Sequence, residues 1–307
     1  MSETHVAIVG GGYSGTLQGI ELLRRGARVT LIEQAPRVAR GAAYGTEQAD
    51  HLLNVRASGM SAFADAPDHF AQWFAATQGG APDQVAQRRV YGRYLGDLLN
   101  EARARHGERV QTVHAEVRAI RPEQSGAGLF LSEGSEIQAD AAILAVGNLP
   151  PEPTRGIEPA ILPPDVYVDN AWAADLSAGL SGTDTVLLIG TGLTAVDAAL
   201  SLESAGFGGR ILAVSGRGLL PGAHAHAPVA PTSPPAGAEP RCTSLLRLVR
   251  ARADGDWRRA VDSLRPVTQR LWAEAGPAEQ RRFLRHLRPW WDVHRHRVAP
   301  SIAARIA

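Results

Sequence analysis

The sequence predicts an α/β chain with two parallel-sheet units, each built as strand, glycine turn and helix, followed by a helical C-terminal segment. Three observations carry this reading. The apolar run Val6-Ala-Ile-Val9 breaks into the glycine triplet Gly10, Gly12 and Gly15, and a helical pattern follows. The same order recurs from Val186-Leu-Leu-Ile189 through Gly190, Gly192 and Ala195. From Thr243 onward the apolar residues keep a helical spacing with no strand signal. The expected organisation is a first domain over residues 1–150, a second over 151–240 with proline-rich loops, and a helical segment over 241–307.

Taken in order, residues 6–9 read as a buried strand and 16–25 as a helix. Leu17, Ile20, Leu23 and Arg24 mark that helix's inward edge, and Gly26 stops it. Residues 28–33 are the next strand, closing a unit of about thirty residues, the size of a βαβ fold. Residues 34–66 lack helical periodicity and read as an ordered loop. Helices are expected over 68–77 and 92–105, and a strand or strand pair over 110–120. Residues 129–132 and 141–146 frame a turn at Glu133-Gly134, which predicts a hairpin. Six prolines between Pro150 and Pro164 mark a domain crossing. A second strand, turn, helix and strand run from Thr185 to Val214, and six further prolines lie between Pro221 and Pro240. In the helical segment, breaks fall near Gly255, Pro266, Gly276-Pro277 and Pro289.

Composition excludes several chemistries. The chain has 307 residues, 44% apolar and 21% charged, enough for two globular cores. No apolar run approaches the ~18 residues of a membrane span, and the N-terminus carries no basic, apolar leader, so a cytoplasmic protein without membrane contact is expected. Cys242 is the sole cysteine, which rules out an internal disulfide or a CxxC redox pair. All 32 basic residues are arginine. Without lysine there is no Walker-type phosphate loop, pyridoxal Schiff base or lysine general base. A net charge of +1 argues against nucleic acid as a partner. Residues 241–307 hold 15 Arg against 6 Asp and Glu, read as solvated helix faces.

The first glycine turn has a chemical reading. Gly10 permits the tight turn, Gly12 lets backbone approach a pyrophosphate, and Gly15 allows close helix–strand contact. Tyr13 and Ser14 complete the turn before the helix, whose unpaired N–H groups and positive dipole end favour phosphate. Glu33 ends the next strand, where a carboxylate accepts hydrogen bonds from ribose hydroxyls. This is a Rossmann-like site for FAD or NAD, and the acid disfavours a 2′-phosphate. In the second turn Gly190, Gly192, Leu193, Thr194 and Ala195 repeat the arrangement. The following strand ends Val214-Ser215-Gly-Arg217, without an acid. Ser215 and Arg217 are candidates for a 2′-phosphate, with an ordinary surface arginine as the competing reading. NADPH is therefore favoured over NADH. Two sites of opposite preference imply a resident flavin and a transient reductant, between which hydride transfer is cofactor chemistry.

Further stretches carry a resemblance: Arg40-Gly-Ala-Ala-Tyr44, His51-Leu-Leu-Asn-Val-Arg-Ala57, Ala145-Val-Gly-Asn-Leu-Pro150, Gly216-Arg-Gly-Leu-Leu-Pro221 and Arg288-Pro-Trp-Trp-Asp-Val-His294. With the two turns they extend over nearly the whole chain. The sequence resembles the bacterial FAD/NAD(P)-binding protein flavoproteins, distant relatives of flavin-containing monooxygenases and amino-acid N-hydroxylases. That resemblance implies that Arg40 and residues 52–61 approach the flavin, with Asn54 a ring contact. It also implies that Val117 offers backbone to adenine and that residues 145–150 cross between the nucleotide domains. Similar proteins continue with a strand-rich segment that returns to the first domain, and this chain is expected to lack it.

The expected function is a FAD-dependent oxidoreductase reduced by NADPH, monooxygenase-like, on a small-molecule substrate. The alternatives are a non-catalytic or truncated nucleotide-binding module and an NADPH oxidase producing peroxide. No catalytic side chain is assigned. No metal site is expected, because His224-Ala-His226 and His294-Arg-His296 lack acidic or cysteine partners nearby. Asp197 is expected as a surface or hinge residue and Cys242 as inert. Phe283, Leu284, Leu287, Trp290 and Trp291 are expected as core, as is Trp172 near the second domain.

Overall fold

The computed structural model describes residues 3–163, 166–225, 233–253 and 256–306. His226 and the Gly255 break fall outside them. The chain forms two compact units, Met1–Ala174 and Asp175–Ala307.

In the first unit β1 (His5–Val9) leads into α1 (Tyr13–Arg24) and β2 (Arg28–Glu33). A one-turn helix, α2 (Gly41–Tyr44), and a 3₁₀ turn at Ala57–Gly59 punctuate the segment expected as loop. Then come α3 (His69–Gln78), α4 (Arg88–His106), β3 (Val110–His114), β4 (Val117–Glu123), β5 (Gly126–Leu131), β6 (Glu136–Ala139) and β7 (Ala141–Leu144). A parallel sheet in the order β3-β2-β1-β7 lies beside an antiparallel sheet β4-β5-β6.

Strand periodicity explains both cores. Val6, Ile8, Val29 and Leu31 alternate onto one face and join Ile20 and Leu23 of α1 and Tyr91, Leu95 and Leu98 of α4. Ala7 and Ile32 point to the other face and meet Leu129 and Leu131 of β5. Each fully buried aliphatic side chain contributes roughly 1.5–3 kcal/mol. On α1 the buried positions are Gly15, Thr16, Gly19, Ile20 and Leu23, and Leu17 packs half-buried against the same core, so of the expected inward edge only Arg24 falls away. Arg24 instead reaches Asp65 at 2.9 Å on the surface. Gly26 stops the helix as expected, at φ +90°.

Two strand expectations change. The stretch over 110–120 holds two strands that do not pair: β3 joins β2 in parallel, while β4 enters the antiparallel sheet. The hairpin partner of β5 is β6, not residues 141–146. Ala141–Leu144 runs parallel to β1, because six further residues, 135–140, carry the chain from the turn back to the main sheet. Helix α4 starts at Arg88, four residues earlier than its periodicity indicated.

The second unit contains β8 (Thr185–Ile189), α5 (Leu193–Ser204) and β9 (Arg210–Val214), with β8 and β9 in a two-stranded parallel sheet. Leu187, Ile189, Leu212 and Val214 share one face of it and are exposed. The helical segment follows as α6 (Cys242–Arg252), α7 (Trp257–Asp262), α8 (Thr268–Glu274), α9 (Pro277–Arg282), α10 (Arg288–Arg295) and α11 (Pro300–Ile306). Between α9 and α10 the backbone widens into a π-helical turn at Phe283–Leu287. That turn shifts the apolar register, so Leu284 and Trp290 are exposed and not core as expected. Arg297 organises the segment. It is buried, forks onto Asp262 at 2.9 and 3.0 Å, and donates further to the carbonyls of His294 and Arg258. Asp197 is also buried, on α5, which corrects its expected surface position.

His5 supplies a pH test. Its ring nitrogen lies 2.8 Å from the Thr30 hydroxyl, and both side chains are buried. Burial, and then the nearby Arg28 charge, push its pKa below the ordinary histidine value. A histidine held neutral stabilises the fold above the unfolded pKa of about 6.5, and that contribution is lost as pH falls through the lowered folded value. Urea midpoints measured from pH 7 down to about 5 should fall less steeply for His5→Gln than for the wild type. Equal slopes would assign the acid sensitivity elsewhere.

Candidate functional site

The first glycine turn is a backbone-on-backbone contact. Gly10 has φ +102°, and a Cβ there would sit 2.3 Å from the Ala145 carbonyl oxygen. A Cβ on Gly15 would sit 1.9 Å from the Gly10 carbonyl oxygen. Neither position has room for a side chain. The turn is closed by Gly10 N–H to Ile32 O at 2.8 Å and Ala145 N–H to Val9 O at 2.8 Å. Among the described residues, the backbone N–H groups of Tyr13, Ser14 and Gly15 have no acceptor, which leaves the first turn of α1 able to donate to an anion.

Glu33 is tied into this turn directly. One carboxylate oxygen accepts from Gly11 N–H at 2.7 Å and the other from Ala35 N–H at 2.7 Å. Each oxygen keeps a lone pair for a ribose hydroxyl. The Glu33 carbonyl accepts from Ala115 N–H at 3.2 Å, which sets Val117, the first residue of β4, close to the end of β2. Gly10, Gly12, Gly15, Glu33 and Val117 thus converge at one end of the parallel sheet.

Arg40 caps α2, whose Gly41 abuts Gly12 with a Cβ–Cα approach of 3.3 Å. Ala39, just before it, is buried at φ +74° and donates to Gly11 O at 2.6 Å. The Arg40 guanidinium lies 3.7 Å from Glu47, which Arg37 also engages. The Arg37 hydrogen bond holds the Glu47 carboxyl below its ordinary range. Asn54 sits half-buried in a loop braced against residues 84–88 by Leu53 N–H to Ala86 O, Ala57 N–H to Gln84 O and Arg88 N–H to His51 O, each 2.8 Å. That loop positions Asn54.

A tyrosine cluster was not anticipated. Tyr13 packs on Tyr44 and Tyr91 with centroids at 5.8 and 6.2 Å, and Tyr91 continues to Tyr94 at 5.4 Å. Tyr91 hydrogen-bonds Tyr13 from a buried position, and burial pushes its pKa well above the usual phenol. Tyr94, pushed up to about 12 by burial, lies 2.8 Å from His69 Nδ1. The helical spacing of Tyr91 and Tyr94 was visible in the sequence, but Tyr44 reaches them only through the chain reversal after Glu33.

The second turn repeats the geometry. Gly190 has φ +120°, and its N–H donates to Val214 O at 2.7 Å, as Gly10 does to Ile32. Ser215 therefore occupies the position that Glu33 holds in the first unit. Thr191 corresponds to Gly11, and its hydroxyl lies 2.8 Å from Ser215 Oγ and 2.6 Å from the Leu219 carbonyl. Thr191 Oγ1 is the donor in both contacts, its one proton shared between Ser215 Oγ and the Leu219 carbonyl. Gly218 N–H in turn donates to Ser215 Oγ at 3.1 Å. Arg217 donates to the Arg285 carbonyl at 3.3 Å and keeps its remaining N–H groups exposed to solvent. Leu193, Thr194 and Ala195 start α5, and Ala195 carries the Cβ that Gly15 cannot. A Cβ at Gly192 would meet nothing within 4 Å. The protein's own packing gives no reason for glycine there, whereas a pyrophosphate laid against the backbone does. Both turns fit a dinucleotide.

Cys242 is buried and burial raises its thiol pKa. His294 hydrogen-bonds the Trp290 carbonyl at 2.7 Å and meets Trp257 edge-on. Trp172 is exposed and not core as expected, and it meets His51 edge-on under Arg88. Among the described residues no group of three His, Cys, Asp or Glu could hold a metal, and no helix is long and apolar enough to cross a membrane.

Residues 7–149 match the FAD-NAD(P)-binding family model. No curated protein matches the sequence. Among solved structures, the bacillithiol disulfide reductase YpdA of Staphylococcus aureus is 21% identical, with 69% of this chain and 58% of that chain covered at a TM-score of 0.47. The OTEMO complex with FAD and NADP is 18% identical over 65% and 37%, at 0.43. LpdA of Mycobacterium tuberculosis is 17% identical over 50% and 22%, at 0.27. The match thus spans between 22% and 58% of the length of these three chains.

The two turns should respond differently to one methyl group. Gly15→Ala forces a Cβ into a carbonyl oxygen and should cost about 2 kcal/mol or more of stability. Gly192→Ala should cost under about 1 kcal/mol while weakening any binding of a nicotinamide dinucleotide at least tenfold. Denaturant titration and calorimetry with NADH and NADPH read the two effects separately, and a Gly192→Ala protein that binds either as the parent does would remove the second site.

Proposed function

With a FAD-NAD(P)-binding domain over residues 7–149 as the premise, we propose that this chain is a FAD-dependent oxidoreductase reduced by NADPH, monooxygenase-like on a small-molecule substrate. The observation that carries the proposal is the change of chemistry at one structural position, carboxylate Glu33 in the first turn and hydroxyl Ser215 in the second. A carboxylate repels a 2′-phosphate; a serine beside an exposed guanidinium does not.

In this reading the first turn of α1 holds the FAD pyrophosphate, Glu33 its ribose, and the Val117 backbone its adenine. Arg40 and Asn54 face the flavin side. The second turn holds NADPH through Gly190, Gly192, Leu193, Thr194 and Ala195, with Ser215 and Arg217 at the 2′-phosphate. Bound flavin would accept hydride from NADPH and pass electrons to oxygen. The protein's part is to hold and orient each cofactor at its own turn. An internal dithiol relay is excluded, since Cys242 has no second cysteine to pair with.

A second reading, a nucleotide-binding module without turnover, draws on one observation. Among the described residues the second sheet has only two strands, one face of which leaves Leu187, Ile189, Leu212 and Val214 exposed. Parallel sheets are ordinarily covered on both faces.

The purified protein should be yellow, or become so on reconstitution with FAD, and should oxidise NADPH faster than NADH. Peroxide equal to the NADPH consumed, with no oxygenated product from candidate amines, would assign an oxidase. A colourless protein that takes up no FAD would leave the module. Arg217→Gln should raise KM for NADPH about tenfold with little change for NADH or in kcat. An equal loss with both reductants would remove Arg217 from the 2′-phosphate.

A further inference from the structure

A cleft of about 360 Å³ opens in the first unit between the end of α3, the start of α4 and the strand-like residues 85–87. It lies at the small end of ligand-binding cavities, enough for about one ring or a short chain. Its floor is apolar: Phe74 and Val90 are buried, and Leu52 and Val85 half-buried. Its rim carries Arg89 and Arg93, which i,i+4 spacing on α4 sets on one helix face.

Both guanidiniums are positioned by neutral groups. Arg89 Nε donates to Gln87 Oε1 at 2.7 Å and one Nη to the Glu47 carbonyl at 3.4 Å. Arg93 donates to Gln78 Oε1 at 3.0 Å. Neither has a carboxylate within ion-pair distance among the described residues. The Glu47 carboxylate is engaged by Arg37 and Arg40, with the Arg89 charge a weaker influence on it from beyond ion-pair distance, and Asp97, one turn beyond Arg93, accepts from Trp73 Nε1 at 3.1 Å. Two fixed positive forks above an apolar floor match a carboxylate joined to a small apolar body.

We propose that this cleft binds a small monocarboxylate with an aromatic or short aliphatic body. The carboxylate takes the Arg89 and Arg93 forks and the body covers Phe74, Val85 and Val90. Leu52 couples the cleft to the loop that carries Asn54. It pairs with Gln87 across an isolated bridge, and its carbonyl accepts from Arg88 Nε at 3.0 Å. The site stands independently of the flavin reading, because no cofactor contact enters the argument.

Calorimetry on the full chain tests it, with benzoate and hexanoate as probes and benzyl alcohol and inorganic phosphate as controls. Saturable binding of a carboxylate is expected, with benzyl alcohol and phosphate each at least tenfold weaker. Arg89→Gln and Arg93→Gln should each weaken binding at least tenfold with an unchanged unfolding midpoint, since both lie at the rim. Val85→Trp should fill the floor and abolish binding with the charges intact. The assignment is overturned by no saturable heat from either carboxylate, by benzyl alcohol or phosphate binding as well as benzoate, or by arginine variants that bind like the parent. None of these outcomes depends on FAD or NADPH, so they leave the flavin reading to its own test.

Discussion

The first unit rests on the contact of bare backbone with bare backbone between Gly10, Gly15 and Ala145. Gly10 must turn through a left-handed conformation while the Ala145 peptide passes over it, and Gly15 must lie against the Gly10 carbonyl. That contact brings α1 down onto the sheet at the one point where its N-terminus faces the strand ends. The helix can then aim its unpaired N–H groups into the crevice outside the parallel strands, where anionic ligands are received in open α/β sheets. Glu33 reinforces the arrangement from β2. By accepting from Gly11 and Ala35 it holds the turn and the chain reversal after it with one carboxylate.

The second unit solves the same geometrical problem with different chemistry. Thr191 and Ser215 replace Gly11 and Glu33, and hydrogen bonds from the Thr191 hydroxyl and the Gly218 N–H onto Ser215 Oγ replace the carboxylate brace. This brace is neutral, so the turn is held without placing negative charge where a phosphate would approach. Ser215 accepts in both bonds, so its own proton is left to donate beside Arg217. The tether of Arg217 to the Arg285 carbonyl limits where the guanidinium sits but leaves its charge in place.

Much of this was legible because glycine turns and strand alternation are local. Strands β1, β2, β8 and β9 and their turns follow from a few adjacent residues, and so does the missing acid at Ser215. What the sequence hid depends on distant pairings. The hairpin partner of β5 could not be distinguished from β7, since both stretches alternate similarly and only the packing of Ala7 and Ile32 decides between them. The tyrosine cluster was hidden because Tyr44 sits in a segment without periodicity. The π-helical turn at Phe283–Leu287 rotated an apolar stripe that looked regular, since one widened turn shifts every later position.

The arginine-only composition links the remaining features. An arginine cannot be neutralised when buried, so each must be solvated, paired or satisfied by carbonyls and amides. Arg297 shows the buried solution, with Asp262 taking two donors and two carbonyls taking others. Arg24 shows the exposed one. Arg89 and Arg93 follow neither pattern, because glutamine amides fix their direction and, among the described residues, no carboxylate lies within ion-pair distance of either, although the Arg89 charge reaches Glu47. Side-chain entropy has been given up to aim these two forks. Like Arg217, they are arranged to meet a charge from outside.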